Sequence, residues 1–198
     1  MILASCSLLC AALAASMPSA APPDVAPNVA PPPQLLARDG AHDFDFLIGD
    51  WNAKVWRLPD RLVGSNRWLA YEGFSNHHKV FDTNANLEQF EATSVDGKAP
   101  PEARTLRAQT LRMYNPASHQ WTIYTLDLDK GELDTPPQVG QFTGNRGEFL
   151  SQQDYKGRSI IIRFVWLDLG PRSARMEQSY SADGGRSWET NWVCLLSR

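Results

Sequence analysis

From Trp51 onward the chain alternates apolar and polar residues in short runs, each ending at a turn former. Neighbouring side chains on a strand point to opposite faces, so a period of two predicts strands with one buried face. Enrichment in β-branched and aromatic residues supports the same reading. The runs are Trp51–Leu58, Arg67–Gly73, Ser75–Phe81, Leu87–Ser94, Leu106–Tyr114, Trp121–Leu128, Val139–Phe142, Glu148–Tyr155, Ser159–Leu167, Ala174–Ser181 and Ser187–Leu196. A break is expected at Gly73. Turn chemistry separates most of the others: Asp96-Gly97, Asn115-Pro116, Lys156-Gly157 and Asp183-Gly184-Gly185. Pro-bearing loops are expected around Pro100-Pro101 and over 134–138. No long helical period occurs. The only helical spacing is Phe44, Leu47 and Ile48, a single apolar turn ended by Gly49.

About ten strands joined by short sequential connections predict an all-β protein, a sandwich or an up-and-down antiparallel barrel. The barrel is preferred because closure leaves no exposed edge strand. The short helical turn at Phe44 precedes the first strand.

Alternation also assigns faces. Ile160, Ile162, Phe164 and Trp166 share one side of their strand, and Met176, Gln178 and Tyr180 one side of the next. In the last strand Trp188, Thr190, Trp192 and Cys194 alternate with Glu189, Asn191 and Val193. With the aromatic faces inward, Trp166, Gln178, Tyr180 and Trp192 surround the interior, joined by Arg112 and Tyr124 from other strands. An apolar pocket with a few polar handles is the usual form of a small-molecule site. The alternative is a filled barrel in which these side chains bond only one another.

The N-terminal part reads differently. Residues 1–20 hold Leu, Ala, Ser and Cys without a charge, which suits a signal-peptide core and is too short to span a membrane. Ala12-Leu13-Ala14 offers a cleavage pattern. No Lys or Arg precedes Arg38, so the basic end of such a signal would lie upstream of the written start. Leu3-Ala4-Ser5-Cys6 resembles a lipoprotein box, which leaves a lipid anchor as an alternative. Residues 21–42 are rich in Pro and Ala and read as an extended tether. The barrel domain is then 43–198, and the protein is expected to be exported, periplasmic or secreted.

The stretch Phe44-Asp45-Phe46-Leu47-Ile48-Gly49-Asp50-Trp51 resembles the start of lipocalin-like (calycin) barrels. That resemblance implies that Trp51 sits at the closed end with Arg198, from behind the last strand, lying across its face. Guanidinium on indole is a favourable pair. Tyr114-Asn115-Pro116 with Trp121, Gly147-Glu148-Phe149, Arg163-Phe164-x-Trp166 and Glu189-x-Asn191-Trp192 extend the likeness. Together they resemble a bacterial domain-of-unknown-function family of lipocalin-like barrels. The resemblance implies the fold and no activity. Some calycin barrels hold haem through one histidine, so His77, His78 or His119 is a candidate. No other cofactor and no metal is expected, because adjacent strand histidines point apart and no carboxylate or cysteine cluster accompanies them.

Ser181-Ala182-Asp183-Gly184-Gly185-Arg186-Ser187-Trp188 resembles the Asp-box of sialidase propellers, with Ser187 in the place of threonine. It occurs once, so it reads as a hairpin in which Asp183 caps the turn amides. Cys194 is expected to be a small buried apolar residue.

A net charge of −3 with no basic run argues against nucleic acid as a partner. No nucleophile elbow, phosphate loop or zinc signature is present. The best-supported function is binding of a small, largely apolar ligand in the barrel. Two alternatives stand beside it. One is a hydrolase or isomerase using polar residues such as Glu148, Glu177 or Arg163. The other is a structural or partner-binding barrel.

Overall fold

The structure is a computed structural model that describes residues 39–128 and 130–198. The expected signal peptide and most of the Pro/Ala tether lie outside the described residues. Those described belong to one compact unit, 37–198.

Eleven strands are present among the described residues: β1 (Gly49–Arg57), β2 (Leu69–Lys79), β3 (Ala85–Ser94), β4 (Thr105–Asn115), β5 (Gln120–Asp127), β6 (Glu132–Leu133), β7 (Gln138–Thr143), β8 (Arg146–Tyr155), β9 (Arg158–Asp168), β10 (Ser173–Ser181) and β11 (Glu189–Ser197). All pair antiparallel. Ten of them follow one another around a ring, and β1 closes on β11 with Ala53 opposite Leu196 and Val55 opposite Cys194. This is a closed up-and-down barrel. The eleventh, β6, is a two-residue flap paired to Leu126 and Asp127 at the end of β5. Proline-bearing sequence around it gave no strand signal.

The break expected at Gly73 is absent. The chain runs through it as one strand, because Gly73 is where β3 comes closest. A Cβ placed there would stand 1.9 Å from the Glu91 carbonyl oxygen. The glycine permits a tight bend of the sheet, as at barrel corners.

One end of the barrel is plugged by the segment before β1. Asp45–Leu47 form a 3-10 turn, with Phe44 and Leu47 fully buried. Phe44 sits in an aromatic cage, with ring centroids of Trp121 at 5.1 Å, Phe142 at 5.0 Å and Phe149 at 5.4 Å. The cage reaches back to Gly40, whose carbonyl accepts the Trp121 indole N–H at 2.8 Å. Trp51 donates its indole N–H to the Leu47 carbonyl at 2.7 Å. The guanidinium of Arg198 lies 4.1 Å from the Trp51 ring centre and donates to the Ile48 carbonyl at 2.9 Å. The end of the chain is thereby stitched to the plug.

At the other end, the Asp-box-like hairpin is built from side chain to backbone. Asp183 accepts from the Ser187 amide at 2.9 Å and the Ser187 hydroxyl at 2.7 Å, which holds its carboxyl well below the usual range. Trp188 lies on the outer surface under the Arg163 guanidinium, 4.0 Å from its ring centre.

The plug dominates the core. Truncating Phe44 to Ala is expected to lower unfolding free energy by about 3–5 kcal/mol, as for large-to-small changes at buried aromatic sites. Truncating the surface residue Phe74 is expected to change it by under about 0.5 kcal/mol. Urea unfolding of both variants tests this.

Candidate functional site: the barrel interior

A cavity of about 610 Å³ runs down the barrel. Its rim carries exposed residues, Glu102, Thr105, Arg107 and Asp134, together with the half-buried Arg57 and Arg61. Its floor is formed by Glu88, Arg112, Trp166 and Leu196, all buried. The wall between them is largely apolar: Phe90, Ile123, Phe164, Met176 and Trp192. Phe164, Met176 and Trp192 face inward yet are only partly buried. Solvent therefore reaches apolar surface inside a closed barrel.

Five of the six expected cavity residues line this space: Arg112, Trp166, Gln178, Tyr180 and Trp192. Tyr124 does not. On β5 the inward residues are Trp121, Ile123 and Thr125, with Ile123 opposite Arg112, while Tyr124 pairs with Leu111 on the outer face. The last strand needs a second correction. Gln178 pairs with Trp192 but Ser179 pairs with Thr190, so Asn191 is the extra residue of a β-bulge. An extra residue reverses the alternation beyond it. Trp192 and Cys194 face inward as expected. Thr190 and Trp188 face out, the former meeting the Ser179 hydroxyl at 3.0 Å. Asn191 turns inward, fully buried, and accepts from the Gln178 amide at 2.7 Å. Cys194 is buried, and burial pushes its thiol well up.

The floor holds a charged network. Arg112 is 0% exposed. Its Nη2 donates to Glu88 Oε2. Its Nη1 donates to His77 Nδ1 at 3.2 Å and Asn86 Oδ1 at 3.1 Å. An arginine can only donate, so His77 Nδ1 accepts and the ring proton sits on Nε2. That Nε2 donates to Ser75 Oγ at 2.8 Å, and the Ser75 hydroxyl donates to Glu88 Oε1 at 2.7 Å. The Arg112 guanidinium also lies 4.9 Å from the Trp166 ring centre and 5.3 Å from Phe44. The network ties the cavity floor to the plug. Burial raises the Glu88 carboxyl most strongly, but Arg112, His77 and the Ser75 hydroxyl together outweigh it and hold the group at about 2. Burial, aided by Arg112, lowers His77 to about 4 despite the Glu88 charge. His77 is neutral at pH 7. Its proton-bearing nitrogen faces Ser75, and its basic nitrogen is occupied by Arg112, so it is not set up to activate that serine.

The residues of the enzymatic alternative are elsewhere. Glu148 pairs with Arg146 at 2.6 Å and Glu177 with Arg175 at 2.5 Å. Arg163 covers Trp188 outside. Of the haem candidates, His77 has both ring nitrogens engaged. His78 is exposed on the opposite face of β2, and His119 meets the Tyr114 hydroxyl at 3.1 Å beside the plug. Among the described residues, no group of three or more His, Cys, Asp or Glu is placed to hold a metal ion. None of their helices is long and apolar enough to cross a membrane.

Alternation missed the mouth arginines and Glu88. Arg57 continues the inward face of Trp51, Ala53 and Val55, and Glu88 lies between inward Asn86 and Phe90, so each had a signal. Arg61 stands in a loop and had none.

A closed antiparallel ring of ten strands, plugged at one end and hollow at the other, is a lipocalin-like barrel. The solved structure of the S-type phycobiliprotein lyase CPES from Guillardia theta is similar, with a TM-score of 0.53, covering 82% of this chain and 93% of that one at 9% identity. At that identity the likeness concerns the fold. No protein-family model and no curated protein sequence matches the chain, so its resemblance to known proteins stands at the level of the barrel.

Stability is expected to depend on acid through the floor. Between pH 6.5 and 4 the unfolded chain protonates His77 while the folded one does not, so stability falls as pH drops through that window. Between pH 4.5 and 2 the unfolded chain protonates Glu88 first, and stability falls further. His77→Gln should flatten the upper window and keep the direction of the lower one, which Arg112 still supports. Urea midpoints against pH measure both.

Proposed function

We propose that this protein binds a small, largely apolar molecule inside its barrel. One observation carries the reading: Phe164, Met176 and Trp192 point into a closed barrel and are left partly open to solvent beside about 610 Å³ of space. Side chains that merely filled the interior would bury one another at near-crystalline density. Keeping apolar surface wet costs about 25 cal/mol per Å², and a ligand that covers it recovers that free energy. The volume falls in the usual range for small-molecule sites, on the order of 300–1,000 Å³.

The similar fold of the S-type phycobiliprotein lyase is consistent with a barrel given over to handling another molecule. Binding, rather than turnover, fits the floor, whose buried charges are engaged with each other. The reading also takes the protein to be exported, on the apolar uncharged leader and the Pro/Ala tether.

N-phenyl-1-naphthylamine, a neutral apolar dye that brightens out of water, tests the reading. The full chain is expected to bind it, with emission excited by the cavity tryptophans. Ala108→Phe, which places a ring in the wall, should weaken binding roughly tenfold or more while leaving the circular dichroism spectrum unchanged. No binding, or binding indifferent to Ala108→Phe, would count against the cavity as the site.

A further inference from the structure

The charges of the barrel are divided between its two ends in a way that sets the orientation and class of the ligand. We infer that the ligand is an amphiphile carrying an acidic group, bound with its apolar body inward and its acid at the mouth against Arg57 and Arg61. This rests on the cavity being the binding site.

An acid bound within a barrel needs a cation to meet it, because an unpaired buried carboxylate is costly. The floor has one cation, Arg112, and its charge is already balanced by Glu88. Its remaining N–H, at Nε, has no hydrogen-bond partner among the described residues, and neither has the Trp166 indole N–H. Both atoms are sealed from solvent. A carboxylate driven to the floor would also meet Glu88, a like charge. The floor therefore rejects an acid and accepts an apolar end.

The mouth differs. Arg57, at the end of β1, and Arg61, in the loop after it, line the cavity and are half-buried. Neither forms an ion pair with a carboxylate among the described residues. The loop carrying Arg61 is pinned across the ends of β10 and β11. The Leu58 amide donates to the Asn191 carbonyl at 2.9 Å, and the Leu62 amide to Glu189 Oε1 at 2.7 Å. Arg61 itself donates to the Tyr180 hydroxyl at 2.5 Å and lies 4.9 Å from that ring's centre. Its guanidinium is thus held in place by an aromatic ring and a neutral acceptor, with no carboxylate among the described residues in direct contact. A third arginine at the rim, Arg107, reaches Glu91 at 2.7 Å. The rim carboxylates Glu102 and Asp134 stand on the connections before β4 and β7. In the ring order β4 lies opposite β10 and β7 opposite β1, and Asp134 comes near enough to Tyr180 to add to the rise that burial gives its hydroxyl pKa. Glu189 stands behind the Arg61 loop with one oxygen taken up by the Leu62 amide, and no carboxylate among the described residues is paired with Arg57 or Arg61, so the head group of an acid settles against these two guanidiniums. A guanidinium receives a carboxylate through paired N–H donors.

Displacement of N-phenyl-1-naphthylamine from the full chain at pH 7.5 by decanoic acid, decanol and decylamine tests this, since the three share one body. Decanoate is expected to bind roughly tenfold tighter than decanol, and decylamine no tighter than decanol. Arg57→Gln with Arg61→Gln should remove the preference for decanoate and leave decanol unchanged, which also reports an intact cavity. Arg57→Lys with Arg61→Lys should retain it. Equal binding of decanoate and decanol, tighter binding of decylamine, or a preference that survives the Gln pair would overturn the inference while leaving the apolar cavity standing. Failure of all three to displace a bound dye would overturn it as well. Failure of the dye itself to bind would remove the cavity reading and the inference together.

Discussion

A ring of ten antiparallel strands encloses more space than its own inward side chains fill. Eight-stranded barrels are at the width where side chains either pack the interior or leave room for one small ligand, and two further strands widen it. The rest of the molecule answers that constraint. One end is stopped by a segment from outside the sheet, with Phe44 at its centre among Trp121, Phe142 and Phe149. The other half of the interior is left hollow, walled by Phe90, Phe164, Met176 and Trp192. Closure of β1 on β11 brings Arg198 beside the plug, where it caps Trp51 and binds the Ile48 carbonyl. The first and last parts of the described chain hold one another in place.

Between plug and cavity lies the Arg112–Glu88–Ser75–His77 network. Burying an ion pair is seldom a gain over apolar packing, because desolvation consumes most of the attraction. Here the pair has other work. Arg112 touches the plug through Phe44 and the cavity through Trp166, and its partners come from both β2 and β3. The network fixes the relative register of three strands at the level where packed core gives way to open space. It also leaves the Arg112 charge balanced by Glu88 at the floor, while Arg57 and Arg61 stand at the mouth.

The barrel was legible because period-two alternation and turn residues survive in almost every strand, and because Phe44, Trp51 and Arg198 stand at its ends. The errors are local and have physical causes. Gly73 reads as a breaker in isolation, yet here it admits the backbone of β3. Alternation counts residues and cannot see an inserted one, so the bulge at Asn191 placed Thr190 and Trp188 on the wrong face. Tyr124 lies between Ile123 and Thr125, and an aromatic is easily taken for the inward residue of such a trio. Glu88 escaped notice because a charge on an apolar face gains its sense only from Arg112, which pairs with it across β3 and β4. The Arg61 position depends on a loop pinned to strands far away in sequence, which no local pattern records.

The central claim is that the inward apolar faces of β9, β10 and β11 border an open cavity that accepts an apolar body. A crystal structure of the full chain grown with 1-bromodecane tests it most directly, because bromine is located by its anomalous scattering. The account predicts a bromine peak inside the barrel, with the alkyl chain against Phe164, Met176 and Trp192 and the Arg112–Glu88 floor undisturbed. A barrel whose side chains close over that space, with bromine absent from the interior, would contradict it.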